Sequence, residues 1–285
     1  EELVHAQNAL SMLGLVEPGM VSLDAEVEVS LEGLLGFYSS EANAIVVLES
    51  EDIDFSGTRA VTTLGHEYVH ALQHADFNVD DYREAVSQAF DSALAATTIV
   101  EGEATLYERF YEAELEGLSS ESVDWLSFYD DLTDRADEFG AENPPPEPVA
   151  FSVFPYTYGG HSSFAAWDDN AAAGVAELRE SSLPNTLDDL GKRHDLKAVS
   201  ASVRAPEAFG HPEGFEAIGD DTLGAWLFHG FAVHVLKDEE TPRRALHWRG
   251  DRLSVFGVGE ETGAIWAINW SSAEHAEAFV QDAPR

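Results

Sequence analysis

The sequence predicts an α+β protein, mainly helical, with a small β-hairpin and a C-terminal part that mixes helix and strand. Three observations carry this expectation. Between residues 58 and 139 apolar side chains recur at helical spacing over long stretches. The stretch GFYSSEANAIVVLES sets two short apolar runs around a polar turn, which is the pattern of a hairpin. Near the C-terminus, RLSVFGV and AIWAINW have the composition and alternation of half-buried strands. With 285 residues, 44% of them hydrophobic, the chain is long enough to bury a large core.

Taken in order, residues 1–14 predict a short amphipathic helix that closes near Gly14 and Pro18. Val27, Val29 and Leu31 alternate with acids, a strand with one dry face. The hairpin follows, with apolar residues 34–38 and 44–48 around a Ser-Ser-Glu-Ala-Asn turn. A helix starts at about Thr58. Val61, Leu64, Tyr68 and Leu72 line the side expected to face the core, and His66 and His70 project from roughly the other. A second helical pattern runs from about Tyr82 to Gly117 and a third over roughly 121–139. The stretch GAENPPPEP cannot continue a helix, because three successive prolines lack amide hydrogens and hold an extended backbone. The organisational break is placed there, giving a metal-binding part over 1–142 and an α+β part over 143–285. The second packs on the first and shapes its cleft, as a separate part or within one continuous domain. Beyond the break lie a helix near 160–180, an apolar helix near 222–236 and the two strands. Trp266, Ile268 and Trp270 read as core-facing alternation, and Arg249-Gly250-Asp251 as a turn between strand-like segments.

Charge bounds the partners. Acidic residues number 54 against 15 basic ones, a formal net charge of −39 spread along the chain. Nucleic acid and anionic membrane surfaces would be repelled. In dilute buffer such a charge also destabilises the compact state, whereas at molar salt the screening length shrinks to about 3 Å. High salt is therefore the expected environment. No apolar run approaches the roughly 18 residues of a membrane-spanning helix. The first residues show neither a basic region nor the apolar stretch of a signal peptide. There is no cysteine, so any metal site must be built from histidine and carboxylate, which suits a hydrolytic ion better than a structural zinc knot.

The chemistry-bearing stretch is TLGHEYVHALQ. Histidines four apart on a helix stand one turn above each other and reach the same ion, and the intervening glutamate is placed to take a proton from water. His66 and His70 are thus expected to ligate zinc, with Glu67 as base. A hydrolytic zinc needs a third protein ligand and an open position. Glu101 in IVEGEATLYE supplies it, with Gly102 and Ala104 small enough for two helices to approach closely. Glu103 points to the opposite side of its helix, and Thr105 is positioned for a supporting hydrogen bond. His74 reads as a supporting or solvent-facing residue. In FPYTYGGH, Tyr156, Tyr158 and His161 are candidate donors to an oxyanion, and equally an aromatic packing segment after the prolines. The remaining histidines of the second half are read as packing residues.

HEYVH with a glutamate in EGEA on a later helix resembles the gluzincin branch of the zincin metallopeptidases. GFYSSEANAIVV, TLGHEYVHALQ, VEGEAT, FPYTYGG, LPNTLDDL, HPEGF, DTLGAW, WRGDRLSVF and WAINW resemble, in the same order, a little-characterised prokaryotic family of predicted exported or lipid-anchored proteins. Those stretches cover most of residues 30–280, and the charge marks an acidic, haloarchaeal-like member. The resemblance implies a zincin-like α+β catalytic part, Zn2+ on His66, His70 and Glu101, and Glu67 as base. It further implies a peptide or protein substrate, an extended chain bound along the hairpin edge, and a place outside the cell or on its surface. A metal-stabilised surface or binding protein without catalysis is the alternative. The retained Glu67 favours catalysis, because a scaffold needs the ligands and not the base.

Overall fold

Two long helices cross closely where glycine faces glycine. They are α4 (Phe90–Leu115) and α5 (Glu147–Glu180), meeting at Gly102 and Gly159. A Cβ on Gly102 would stand 2.3 Å from the Gly159 carbonyl carbon and oxygen. The computed structural model describes residues 2–16, 36–48, 57–87, 89–125, 127–128, 147–180, 185–188, 204, 206–208, 210–234 and 244–282. The strand expected over 27–31, most of the helix expected over 121–139, and Pro144 to Pro146 lie outside the described residues.

The architecture is α+β, as the sequence predicts. Helix α1 (Glu2–Met12) ends just before Gly14, which takes a left-handed φ of 71°. Strands β1 (Gly36–Ser39) and β2 (Ala44–Val47) form the expected hairpin, antiparallel, with Tyr38 opposite Ile45. The HEYVH helix is α2 (Thr58–Phe77). It stops at Asn78, whose φ of 52° turns the chain at once into α3 (Val79–Val86). The single helix expected over 82–117 is therefore two, α3 and α4. The start of α4 is tied down from far along the chain: the Asp221 carboxylate accepts the Phe90 amide at 2.9 Å and the Thr222 carbonyl accepts that of Asp91 at 3.0 Å. These acceptors satisfy amides that a helix leaves free in its first turn.

Helix α5 starts earlier than the expected 160, directly after the proline run. Pro148 sits in its first turn, where a missing amide hydrogen costs nothing. The helix kinks at Asn170 and Ala171, the latter with φ 49°. Strands β3 (Glu216–Asp221), β4 (Trp248–Val258) and β5 (Glu261–Trp270) form an antiparallel sheet in that order, with α6 (Gly224–His234) between β3 and β4 and α7 (Ala273–Asp282) after β5. Trp266, Ile268 and Trp270 do pack on a core that includes Phe228 and Trp248. Helix α1 brings Ala9 against Leu253 and Val255 of β4.

Arg249-Gly250-Asp251 is not a turn between two segments. It lies within β4 as an irregularity of register, with Gly250 at φ 124° against the Arg204 carbonyl. The twist buries Asp251 completely. Its two oxygens accept the amides of Leu223 and Gly224 and the indole N–H groups of Trp248 and Trp266. Four donors around one carboxylate fix α6 to the sheet. Among the described residues, no helix is long and apolar enough to cross a membrane.

Candidate metal centre

Helix α2 buries the face opposite to the one its apolar residues suggest. Leu64, Tyr68 and Leu72 are 36%, 58% and 52% exposed, whereas His66 and Glu67 are 6% and 9% exposed. The two faces are opposed as expected, but the polar one is turned inward. Burial is tolerable there because His66, Glu67, His70 and Gln73 each meet a partner from α2, α4 or the hairpin, which offsets the usual cost of desolvation.

Among the described residues, the ligating atoms of His66, His70 and Glu101 converge, all within 4.8 Å of one another. Nε2 of His66 and Nε2 of His70 each lie 3.2 Å from Oε2 of Glu101. Two turns of α2 and one residue of α4 thus meet at a point, as the spacing predicts. Glu103 faces away and binds Arg179 at 2.9 Å. The small residues act differently from expectation: Gly102 accommodates α5, not α2, while Gly65 of α2 lies against the Tyr111 ring of α4.

Each of the three candidate ligands is held from behind by a group that the motifs do not indicate. Nδ1–H of His66 donates to Oε2 of Glu108 at 3.2 Å. Nδ1–H of His70 donates to Oε1 of Gln73 at 2.9 Å. The Gln73 amide cannot be the other way round, because its nitrogen already donates to the Val100 carbonyl at 3.0 Å and to Glu103 at 2.9 Å. Both imidazoles therefore present Nε2 to the centre. The other oxygen of Glu101 accepts from Arg83 of α3 at 3.3 Å. Two of these partners left a signal in the sequence: Gln73 is one turn after His70, and Glu108 two turns after Glu101 on the same face. Arg83 left none, since its approach depends on the turn at Asn78.

Without a cation the centre holds protons. Burial alone would push His66 down, but the hydrogen bonds and charges of Glu101 and Glu108 outweigh it and raise the imidazole to about 10. His70 is opposed by burial too and is likewise raised, by Glu101. Glu101 is raised by burial and lowered more strongly by the two imidazoles, ending well below the carboxylate range. Glu67 goes the other way: burial raises it against the lowering charges of His66 and His70. Its Oε2 accepts the backbone N–H of Tyr38, on β1, at 2.8 Å.

Of the three oxyanion candidates, Tyr156 is at the centre, its ring 5.9 Å from that of His66. The negative charge of Glu101, followed by burial, drives its hydroxyl well above the ordinary phenol range. Tyr158 is a packing residue, stacked on Phe154 at 4.8 Å and tilted against Trp226 at 5.2 Å. His161 is further along α5, half-buried and outside the converging group. His74 packs against the Tyr38 ring at 5.9 Å and is also outside it. Thr105 turns its methyl towards Gly160, and its hydroxyl meets none of the ligands.

The donor set fits a divalent cation: two imidazoles with inward nitrogens, one carboxylate, and outer partners on all three. No family model, no curated protein and no solved structure matches this chain. The resemblance to gluzincins stands on the motifs alone.

Proposed function

We propose that the chain is a zinc-dependent peptidase in which His66, His70 and Glu101 hold the ion and Glu67 is the base. One observation carries the reading: three ligating atoms from two helices converge within 4.8 Å, and a carboxylate that is not a ligand stands next to them in the sequence and is buried with them. Zinc bound there supplies Lewis acidity, acidifying water towards pKa of about 7 and polarising a carbonyl.

The chain's own residues do the rest. Glu67 takes the proton of the attacking water and delivers it to the departing amine, so that its net charge is restored over the cycle. Burial, by raising Glu67, brings its proton affinity nearer to what a base at neutral pH needs. The Tyr38 amide holds the carboxylate at one oxygen and leaves the other for water. Tyr156 offers its hydroxyl to the oxyanion of the tetrahedral adduct, a contact that strengthens as charge develops. The edge of β1 that carries the Tyr38 amide is the edge for an extended peptide, in the manner of strand addition.

The test is bound zinc and peptide hydrolysis at molar salt, for the parent and for Glu67→Gln. Zinc retained with hydrolysis reduced by about a hundredfold or more is expected, since the substitution removes the base alone. Zinc retained with no hydrolysis in either protein transfers the reading to a metal-stabilised binding protein. A folded parent that takes up no zinc removes both.

A further inference from the structure

We propose that Arg83 and Tyr156 form an oxyanion-binding pocket on the Glu101 side of the centre, contacting a negatively charged oxygen of the substrate. The inference rests on the metal-centre reading above and adds to it a residue that neither the motif nor the charge pattern indicates.

Arg83 reaches the centre because α2 ends in the left-handed turn at Asn78, and α3 folds back from it. One terminal nitrogen lies 3.3 Å from Glu101, while the side chain remains 38% exposed against 13% for Glu101. Its Nε is buried and has no acceptor. In a chain with 54 acids and 15 bases, a guanidinium set against a single carboxylate keeps donors for a further anion. Among the described residues Arg83 pairs with Glu101 alone, whereas Arg109 pairs with Glu108 and Glu112, and Arg179 with Glu103 and Asp76. Tyr156, itself 38% exposed, comes from α5 to the His66 ring, within reach of the charges of Glu101 and Arg83.

Charge then decides what the pocket takes. In the metal-free state the Glu101 carboxylate neutralises Arg83. A divalent cation draws on the same carboxylate, and its two charges exceed the one that Glu101 brings. The guanidinium is left facing an open corner beside the ion, its charge no longer matched by Glu101 alone. A planar fork of N–H donors with a phenol beside it suits a carboxylate, or the oxygen of a tetrahedral adduct. Both sources share one chemistry, an oxyanion next to the metal.

The experiment uses the full zinc-loaded chain at molar KCl, with Arg83→Gln, Arg83→Lys and Tyr156→Phe. Zinc affinity is measured first, by competition with a chelator, and inorganic phosphate is then titrated as the oxyanion probe. The expected result is phosphate binding by the parent that weakens by about tenfold or more in Arg83→Gln and recovers in part in Arg83→Lys, with zinc affinity within about threefold of the parent. Peptides with a free and an amidated C-terminus separate the sources. A kcat lowered by about a hundredfold on both peptides assigns the pocket to the developing oxyanion, and a KM raised only for the free acid assigns it to a substrate carboxylate. The proposal is overturned if the parent binds zinc but not phosphate. It is equally overturned if Arg83→Gln weakens zinc while phosphate affinity per bound zinc is unchanged, because Arg83 would then only hold Glu101. A parent without zinc fails at the first measurement and takes the metal-centre reading with it.

Discussion

Each candidate ligand is oriented by a partner of different chemistry: an anion behind His66, an amide behind His70, a guanidinium behind Glu101. The partners of the two imidazoles set tautomer and basicity, and loss of such a partner weakens metal binding by about 10- to 100-fold. Gln73→Leu and Glu108→Gln are each expected to do so in a zinc-competition titration. Gln73→Leu strands Nδ1–H of His70, and Glu108→Gln keeps an acceptor but removes its charge. The proton held by His66 leads to a second expectation. Its pKa is higher in the folded metal-free protein, at about 10, than the ordinary value of 6.5. The stability this contributes is complete below about pH 6.5 and is lost as pH rises through about 10. Thermal unfolding of the metal-free protein should therefore fall over that window, and zinc should remove the fall by taking the place of the proton.

At the scale of elements, the centre depends on helix crossings that place α4 beneath α2. Gly102→Ala would drive a methyl into the backbone of α5 at Gly159, where neither chain has a flexible atom to yield. Overpacking of this kind costs about 1–3 kcal/mol, and a backbone obstacle puts it at the upper end. Denaturant unfolding at molar salt checks the figure. Zinc affinity should fall with it, since Glu101 is the neighbouring residue. Much of the element list was legible: the hairpin, the helix carrying HEYVH, and Trp266, Ile268 and Trp270 on a core-facing strand all follow from local periodicity. The division into α3 and α4 was not, because the acceptors at the start of α4 come from Asp221 and Thr222, about 130 residues away in the chain. Nor was the buried face of α2 legible. Leu64, Tyr68 and Leu72 make the greasier stripe, yet the opposite face carries groups whose partners sit on other elements.

For the whole molecule, charge is the governing quantity. A net charge of −39 repels itself over a screening length of about 10 Å at 0.1 M salt, and over only about 3 Å at 1 M. Transfer from molar to millimolar KCl is expected to loosen the fold, visible as lost near- and far-ultraviolet circular dichroism. Spectra unchanged across that range would contradict it. Around the centre, Arg83 binds Glu101, Arg109 binds Glu108 and Arg179 binds Glu103, all glutamates of α4. Zinc should accordingly lower the KCl concentration at which the fold loosens, since it stabilises the folded state and adds positive charge beside Glu101 and Glu108.

What the sequence determined by itself is local or additive. Spacing along one helix places His66 above His70, alternation marks strands, and summed charge leads to the expectation of high salt. Only the tertiary structure decided which face of α2 is interior, that Glu108, Gln73 and Arg83 stand behind His66, His70 and Glu101, and that Tyr156 rather than Tyr158 comes up to them. Those facts depend on crossing angles and on a turn at one asparagine. Periodicity reports neighbours along a single helix, whereas convergence of several helices is fixed by long-range packing that no single segment encodes.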